Sequence, residues 1–148
     1  MRDRASVRGV IVDDDNRVLL VKWRREQDGA SFWLCPGGGR EIGEDDAGCL
    51  AREIAEETGL GKFDPGPHVA TWRWVDGYEH RFYVVRCANF APSTGPGHPE
   101  YEVFDEYRWW SAEELAEDTE MEPPGLADLL AAIVGGDVPP EPVEFIDA

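Results

Sequence analysis

The chain has 148 residues, of which 42% are hydrophobic and 30% charged, a composition typical of one globular domain. Its formal net charge is −17, and a surface this negative repels a phosphate backbone, so we expect no generic binding to DNA or RNA. The most apolar stretch, residues 126–134, is too short to cross a bilayer, so we also expect no membrane association. Three cysteines without a CxxC pair favour a reducing, cytoplasmic location.

The first predicted elements are a β-hairpin and a short strand. Residues 7–12 and 17–23 are rich in aliphatic and β-branched side chains, and a run of Asp and Asn residues separates them as a turn. Residues 31–35 predict a third strand, which ends at Pro36 and three glycines. The glycine run predicts a loop whose backbone can approach a ligand closely.

A helix is predicted over residues 46–58. Its apolar residues recur at the spacing of one helix face. Asp45 or Asp46 can cap its start, and Gly59 lies where a helix commonly ends. The sequence therefore predicts both the existence and the bounds of this helix.

The second half of the chain predicts three strands and two helices. The strands are expected over residues 69–74, 81–88 and 107–110. A capping box from Ser111 to Glu114 opens the first helix, and leucines at helical spacing place the second over residues 126–133. Residues 89–101 carry three prolines and two glycines, which predict a long loop.

The interleaving of strands and helices predicts the fold class. We expect an α/β sandwich with a mixed β-sheet, formed by one domain over residues 1–136. Residues 137–148 are acidic and rich in proline, so we expect a tail that is extended or frayed.

The residues with the clearest chemical meaning lie on the first predicted helix. Glu53, Glu56 and Glu57 stand at i, i+3 and i+4, so their side chains project from one stripe. Three like charges in one patch repel each other, and the patch becomes favourable when it holds a divalent cation. Ligands that are all oxygen favour Mg²⁺, Mn²⁺ or Ca²⁺ over zinc. Glu44 can fold back from the preceding loop towards the helix start and complete such a metal site.

The spacing Gly38-x5-Glu44-x7-Arg52-Glu53-Ile54-x-Glu56-Glu57-x-Gly59-Leu60 resembles the complete signature box of the Nudix hydrolase family. The segment Trp33-x-x-Pro36-Gly37-Gly38 leads into the box and is similar to the family in pattern. The resemblance implies a Nudix-like α/β/α sandwich with a loop–helix–loop catalytic box. It also implies hydrolysis of a phosphoanhydride bond in a nucleoside diphosphate linked to another moiety, X.

The same resemblance implies roles for individual residues. Mg²⁺ or Mn²⁺ would be held by Glu53, Glu56, Glu57 and the carbonyl of Gly38. Arg52 would pair with a carboxylate of the box and hold its orientation, and Glu44 would assist from the loop. Glu53 would be a metal ligand or the base that takes the proton of the attacking water, and Glu57 would also be catalytic. The resemblance leaves open which glutamate is the base.

Weaker signals concern the substrate. Aromatic residues from Trp72 onwards could offer a stacking face for a base, with packing in the core as the alternative. Tyr78 lies where family members that act on dinucleoside polyphosphates often carry a tyrosine, and His80 and Arg81 could contact phosphate or ribose. We therefore expect a small nucleotide, such as a dinucleoside polyphosphate or a (d)NTP, as the partner of this site.

Several alternatives stay open at this level. An intact box argues against a non-catalytic nucleotide sensor of the same fold. An isoprenoid diphosphate isomerase would need a reactive cysteine, for which Cys35 and Cys87 are the candidates. Late acidic residues could also join the metal site, namely Glu100, Glu102 and Glu106. The identity of X and the oligomeric state are open, with a homodimer among the alternatives.

Overall fold

The computed structural model describes residues 2–25, 28–74, 76–93, 102–117, 121–122, 125–138 and 140–147. The strands are β1 (Arg2–Val12), β2 (Val18–Arg25), β3 (Ser31–Leu34), β4 (Gly37–Glu41), β5 (Pro65–Trp74), β6 (Glu79–Arg86), β7 (Glu102–Trp110), β8 (Met121–Glu122) and β9 (Val143–Asp147). The helices are α1 (Asp46–Thr58), α2 (Ala112–Glu117) and α3 (Leu126–Val134). None of the helices within these ranges is long and apolar enough to cross a membrane.

The strands of the described ranges form one mixed sheet. Its order is β8-β3-β2-β1-β6-β5-β9, with β4 paired to β1 and β7 paired to β2. The central strand β1 runs parallel to β6 and antiparallel to β2 and β4. Helix α1 covers one face of the sheet, and α2 and α3 cover the other. The predicted fold class, an α/β sandwich around a mixed sheet, is confirmed.

Two apolar cores hold the layers together because successive strand side chains point to opposite faces. Val7 and Ile11 of β1 pack under α1 against Ile54. Val10 and Val12 of the same strand pack on the opposite face, in the core that includes residues of α2 and α3. Each face of β1 therefore packs against a different helical layer. Side chains on opposite faces of the strand do not meet.

The predicted bounds of α1 and the predicted capping box are confirmed. The Asp45 carboxylate accepts a hydrogen bond from the Gly48 amide at 2.7 Å, and Gly59 ends the helix in the left-handed conformation, with φ of 82°. The Ser111 amide donates to the Glu114 carboxylate at 2.9 Å, while the Glu114 amide donates to the Ser111 hydroxyl at 3.1 Å.

The glycine run after Pro36 differs from the prediction, because it forms strand β4 instead of a loop. Gly38 pairs with Val7 of β1 in antiparallel register. A Cβ atom at Gly37 would lie 2.2 Å from the Val7 carbonyl oxygen, so glycine allows the two backbones to lie this close. The glycines that predict a flexible loop therefore allow close packing of a strand instead.

The C-terminal segment, predicted as an extended or frayed tail after residue 136, contributes a strand to the sheet. Val143–Asp147 form β9, which pairs in parallel with β5. Of the loop predicted over residues 89–101, positions 94–101 lie outside the described residues, and β7 begins directly after them.

Candidate active site

Arg52 is the cation of the acidic patch on α1. Its Nε and Nη2 atoms each donate to one oxygen of the Glu44 carboxylate at 2.8 Å, and its Nη1 atom donates to Glu53 Oε1 at 2.8 Å. The paired hydrogen bonds from Arg52 lower the pKa of Glu44 to about 2 and raise the pKa of Arg52. The predicted pairing of Arg52 with box carboxylates is therefore present in the structure, with Glu44 as its second partner.

Glu53 and Glu57 lie between α1 and strand β4. Their exposed fractions are only 5% and 6%. The Gly37 amide donates to Glu57 Oε2 at 2.9 Å. A Cβ atom at Gly38 would lie 2.5 Å from the carboxylate carbon of Glu53, so only glycine leaves room for that carboxylate. Two buried acids are thus fixed beside the Gly38 backbone.

The glutamates of the box are not gathered as tightly as a three-carboxylate cage. Glu56 is more exposed than the other two, at 29% of its side chain, and its Oε2 lies 3.6 Å from Arg52 Nη1. Within the described part of the chain, the one set of three acidic side chains whose oxygens all lie within 4.8 Å is Asp13 to Asp15, in the β1–β2 turn. The box carboxylates thus have different partners, because Glu53 and Glu56 lie near Arg52 while Glu57 accepts from the Gly37 amide.

Cys49 is a neighbour of this site that the sequence did not single out. Its Sγ atom donates to the Gly38 carbonyl oxygen at 3.5 Å. Burial, together with the negative charges of Glu44 and Glu53, raises the pKa of this thiol to about 12, so it stays protonated and remains a donor. The only available signal was its position four residues before Glu53, which places both on one helix face.

Three of the predicted substrate contacts meet on the opposite face of the sheet. We call Trp72, Trp74, Tyr78 and His80 the aromatic cluster. The ring centroids of Trp72 lie 4.8 Å from those of Trp74 and 5.7 Å from those of His80, and Tyr78 meets His80 edge-on at 5.3 Å. Trp72 is only 6% exposed, so its ring belongs to the core as well as to this cluster.

Arg8 of β1 joins the aromatic cluster to the connection between β3 and β4, which leads into Gly38. Its Nε donates to His80 Nδ1 at 3.2 Å, and its Nη1 donates to the Cys35 carbonyl oxygen at 2.8 Å. Burial and the nearby Arg8 charge lower the pKa of His80 to about 3, so the imidazole is neutral and can accept from Arg8. No sequence pattern points to Arg8, because this contact joins residues 72 positions apart.

Arg81 does not join the aromatic cluster. It lies on the α1 face of β6, where its Nη1 donates to Asp46 Oδ1 at 3.0 Å. The Tyr83 hydroxyl donates to the other oxygen of the same carboxylate. Alternation along the strand places Arg81 and His80 on opposite faces, so one run of residues serves two different surfaces.

The late acidic residues do not extend the site within the described residues. Glu106 has an exposed side chain and lies 3.9 Å from Lys22 Nζ. Its neighbour Tyr107 faces α1, so Glu106 points to the other side of β7. Glu100 lies outside the described residues, as does the side chain of Glu102.

The family model described as NUDIX domain matches residues 2–132. An RNA pyrophosphohydrolase from Halorhodospira halophila is 40% identical over 72 residues, which are 49% of this chain and 38% of that protein. A MutT-like protein from Streptomyces ambofaciens is 44% identical over 55 residues, which are 37% of this chain and 33% of that protein. The matches thus span about a third of the length of these curated relatives.

Solved structures share the fold over most of the chain. An Ap4A hydrolase from C. elegans has a TM-score of 0.68 at 17% identity, and the match covers 88% of this chain and 98% of that one. A MutT protein from Methanosarcina mazei has a TM-score of 0.66 at 22% identity, covering 90% of this chain and 94% of that one. At these identities the likeness shows the arrangement of helices and strands.

Proposed function

Because the chain belongs to the Nudix family, we propose that it hydrolyses a phosphoanhydride bond in a nucleoside diphosphate linked to another moiety, with the help of a divalent metal ion. The observation that carries this proposal is the pair of buried carboxylates, Glu53 and Glu57, fixed against the Gly37–Gly38 backbone. Buried acids are costly unless something compensates their charge. Their placement beside a strand of glycines favours a chemical role over a structural one.

The donor set fits Mg²⁺ or Mn²⁺, because carboxylate and carbonyl oxygens are the hard ligands that these ions prefer. The residues that would hold the ion are Glu53, Glu56, Glu57 and the carbonyl of Gly38. A bound ion would offset the charge of the phosphates and lower the pKa of a coordinated water. Arg52 orients Glu53 and Glu44, and the Gly37 amide orients Glu57. One of the two buried glutamates takes the proton of the attacking water.

We further propose a small nucleotide as substrate, with dinucleoside polyphosphates and (d)NTPs first. The segment from Cys35 to Gly38 supports this, since one end contacts Arg8 and the other contacts the glutamates of α1. The Cys35 carbonyl accepts from Arg8, beside the aromatic cluster, whereas Gly37 and Gly38 contact the glutamates of α1. The aromatic rings of the cluster offer a surface on which a base can stack.

A 5′-triphosphorylated RNA end is the second candidate. It is favoured by the relatives named RNA pyrophosphohydrolase, from Halorhodospira halophila and Ruthia magnifica. The net charge of −17 opposes it, because an RNA chain adds many phosphates beyond those at the reacting end. The isomerase alternative is disfavoured. Burial raises the pKa of Cys35 to about 12 and also raises that of Cys87, so neither thiol is activated.

The test is a substrate panel with product identification by mass spectrometry. The panel contains dinucleoside polyphosphates, (d)NTPs, nucleotide sugars, ADP-ribose and a 5′-triphosphorylated RNA, each with Mg²⁺ and with EDTA. With Mg²⁺ we expect hydrolysis of a small nucleotide at a phosphoanhydride bond, and with EDTA we expect none. Faster turnover of the RNA would replace the substrate proposal with the second candidate, and no hydrolysis of any compound would contradict the enzymatic function itself.

A further inference from the structure

The end of α1 is held by contacts from three different segments. The last carbonyl groups of a helix have no amide partner within it, so they need other donors. Here the Ala55 carbonyl accepts from the Gly59 amide at 3.0 Å, and the Thr58 carbonyl accepts from the Ser93 amide at 2.9 Å. The Glu57 carbonyl accepts from the hydroxyl of Tyr107, on β7. The helix end is thus fixed by its own cap, by the segment after β6 and by β7.

Such anchoring compensates for an unfavourable arrangement. The last turn of α1 contains no basic residue, yet it carries Glu56 and Glu57. The C-terminal end of a helix is the negative end of its dipole, so two carboxylates there raise the free energy of the helix. Without contacts from outside the helix, this last turn would tend to fray, and the carboxylates would lose their fixed position.

Glu57 is the residue that this anchoring fixes from two sides. Its carboxylate accepts from the Gly37 amide of β4, and its backbone carbonyl accepts from the Tyr107 hydroxyl. The Tyr107 ring is itself held, because Tyr107 pairs with Val21 in the β2–β7 ladder and packs against the apolar core under α1. The Tyr107 hydroxyl therefore links the last turn of α1 to a strand of the sheet.

We propose that Tyr107 is a positioning residue for the metal site, because its hydroxyl holds the last turn of α1 where the Glu57 carboxylate can bind the ion. This inference rests on the proposed function and adds a residue outside the signature box. Groups that orient metal ligands from behind commonly change metal affinity by about 10- to 100-fold when they are removed. Since Tyr107 acts through the backbone, we expect the lower end of that range.

The chain offers a matched control at the other end of the same helix. The Tyr83 hydroxyl donates to Asp46 in the first turn, so Tyr83→Phe removes the same chemical group from another contact with α1. Asp46 and Glu57 are roughly 16 Å apart along the helix axis at 1.5 Å per residue. Any general effect of loosening the helix should appear in both variants, whereas an effect on the position of Glu57 should appear only in Tyr107→Phe.

The experiment measures binding of Mn²⁺ alone, by the loss of the EPR signal of free Mn²⁺, to the wild type, Tyr107→Phe and Tyr83→Phe. We expect the Kd for Mn²⁺ to rise about tenfold in Tyr107→Phe and to stay at the wild-type value in Tyr83→Phe. In assays at limiting Mg²⁺, kcat of Tyr107→Phe should fall and recover at high Mg²⁺, with KM for the nucleotide unchanged. Replacing Tyr107 by 4-aminophenylalanine keeps the ring and a donor, and should keep the wild-type Kd.

The outcomes separate this inference from the proposed function. A wild type that binds Mn²⁺ and hydrolyses nucleotides, with an unchanged Kd in Tyr107→Phe, would overturn the role of Tyr107 alone. An equal rise of Kd in both phenylalanine variants would also overturn it, since the effect would then be general. A wild type that neither binds Mn²⁺ nor hydrolyses any nucleotide would overturn both proposals. If Tyr107→Phe does not fold, a weakened Kd in the folded 4-aminophenylalanine variant is the overturning result.

Discussion

The two ends of α1 both carry acidic residues, but in opposite electrostatic settings. In the first turn, the Asp46 carboxylate accepts from Arg40 at 2.8 Å and from Arg81 at 3.0 Å, and it lies at the positive end of the helix dipole. In the last turn, Glu56 and Glu57 lie at the negative end, where the helix has no basic residue. The first arrangement lowers the free energy of the fold, and the second raises it.

This difference indicates that the last turn of the helix, rather than its first turn, has the functional role. A sequence optimised only for stability would place acids at the start of a helix and bases at its end. The start of α1 follows that rule, and its end violates it with buried or half-buried carboxylates. Violations of local rules that the rest of the structure compensates are expected at functional sites. The predictions below test whether the two ends differ in function as they differ in charge.

Chelation of divalent metal ions should have the largest effect. We expect EDTA to abolish turnover, because the charge of the phosphates and of the last-turn glutamates is then not offset. The melting temperature should fall only slightly, since the apolar cores and the anchoring of α1 do not depend on an ion. Turnover and thermal melting with and without EDTA measure both effects, and full activity in excess EDTA would contradict the proposed function.

Glu57→Gln should separate activity from stability at the last turn. We expect kcat to fall roughly 10²-fold or more, a loss of about 3 kcal/mol in transition-state stabilisation. The amide oxygen of glutamine can still accept from the Gly37 amide, and one negative charge is removed from the negative helix end, so the fold should be retained. Steady-state kinetics and circular dichroism provide the measurement. A variant that melts early but keeps its specific activity would show a structural residue instead.

Asp46→Asn, in the first turn, should reduce stability and leave activity nearly unchanged. The carboxylate of Asp46 accepts from Arg40, Arg81 and Tyr83, so its loss weakens several charge-assisted hydrogen bonds. We expect the free energy of unfolding to fall by about 1–3 kcal/mol, with kcat close to that of the wild type at temperatures where the variant is folded. Urea denaturation gives the first quantity. A loss of kcat comparable to that of Glu57→Gln would remove the distinction between the two ends.

The smallest effect concerns how the stability difference between the wild type and Asp46→Asn changes with pH. Burial raises the pKa of Asp46, but hydrogen bonds from Tyr83 and the charges of Arg81 and Arg40 outweigh it, so the pKa lies below the ordinary 3.8. A carboxylate with a lowered pKa stabilises the folded state at pH values above its pKa in the unfolded state. This stabilisation is lost as the pH falls through its pKa in the folded state. The stability difference between wild type and Asp46→Asn should therefore be constant at neutral pH and shrink below about pH 4. Urea denaturation at pH 7 and at decreasing acid pH measures it, and a difference that grows in acid would contradict this assignment.

Sequence reasoning succeeded where the signal is local. Asp45 and Gly59 fix the bounds of α1, and Ser111 with Glu114 opens α2, because each of these contacts lies within one helical turn. The carboxylates of the box were selected for the same reason, since their spacing along one helix places them on one stripe, and their role in a metal site stays a prediction. The resemblance to a known family added the fold, which the structure confirms.

The contacts that sequence reasoning missed join distant parts of the chain. Three glycines predict flexibility, and only the pairing with β1 turns them into strand β4. Arg8 contacts His80 only because β1 and β6 lie side by side, and Tyr107 contacts the Glu57 carbonyl only because β7 passes under the end of α1. These placements depend on sheet register, which the sequence of any single element does not contain.

The parallel pairing of β1 with β6 has a consequence for the order in which the chain can fold. Contacts between these strands, such as Arg8 with His80, span 72 positions, and the hairpin partner β2 meets β1 at only one residue pair. Closing so long a loop costs chain entropy before any contact repays it, and folding slows as such distant contacts predominate. During synthesis, the first strand and the acidic helix must therefore leave the ribosome well before the central pair of strands can form. The contact of Tyr107 with the Glu57 carbonyl likewise forms only when most of the chain exists.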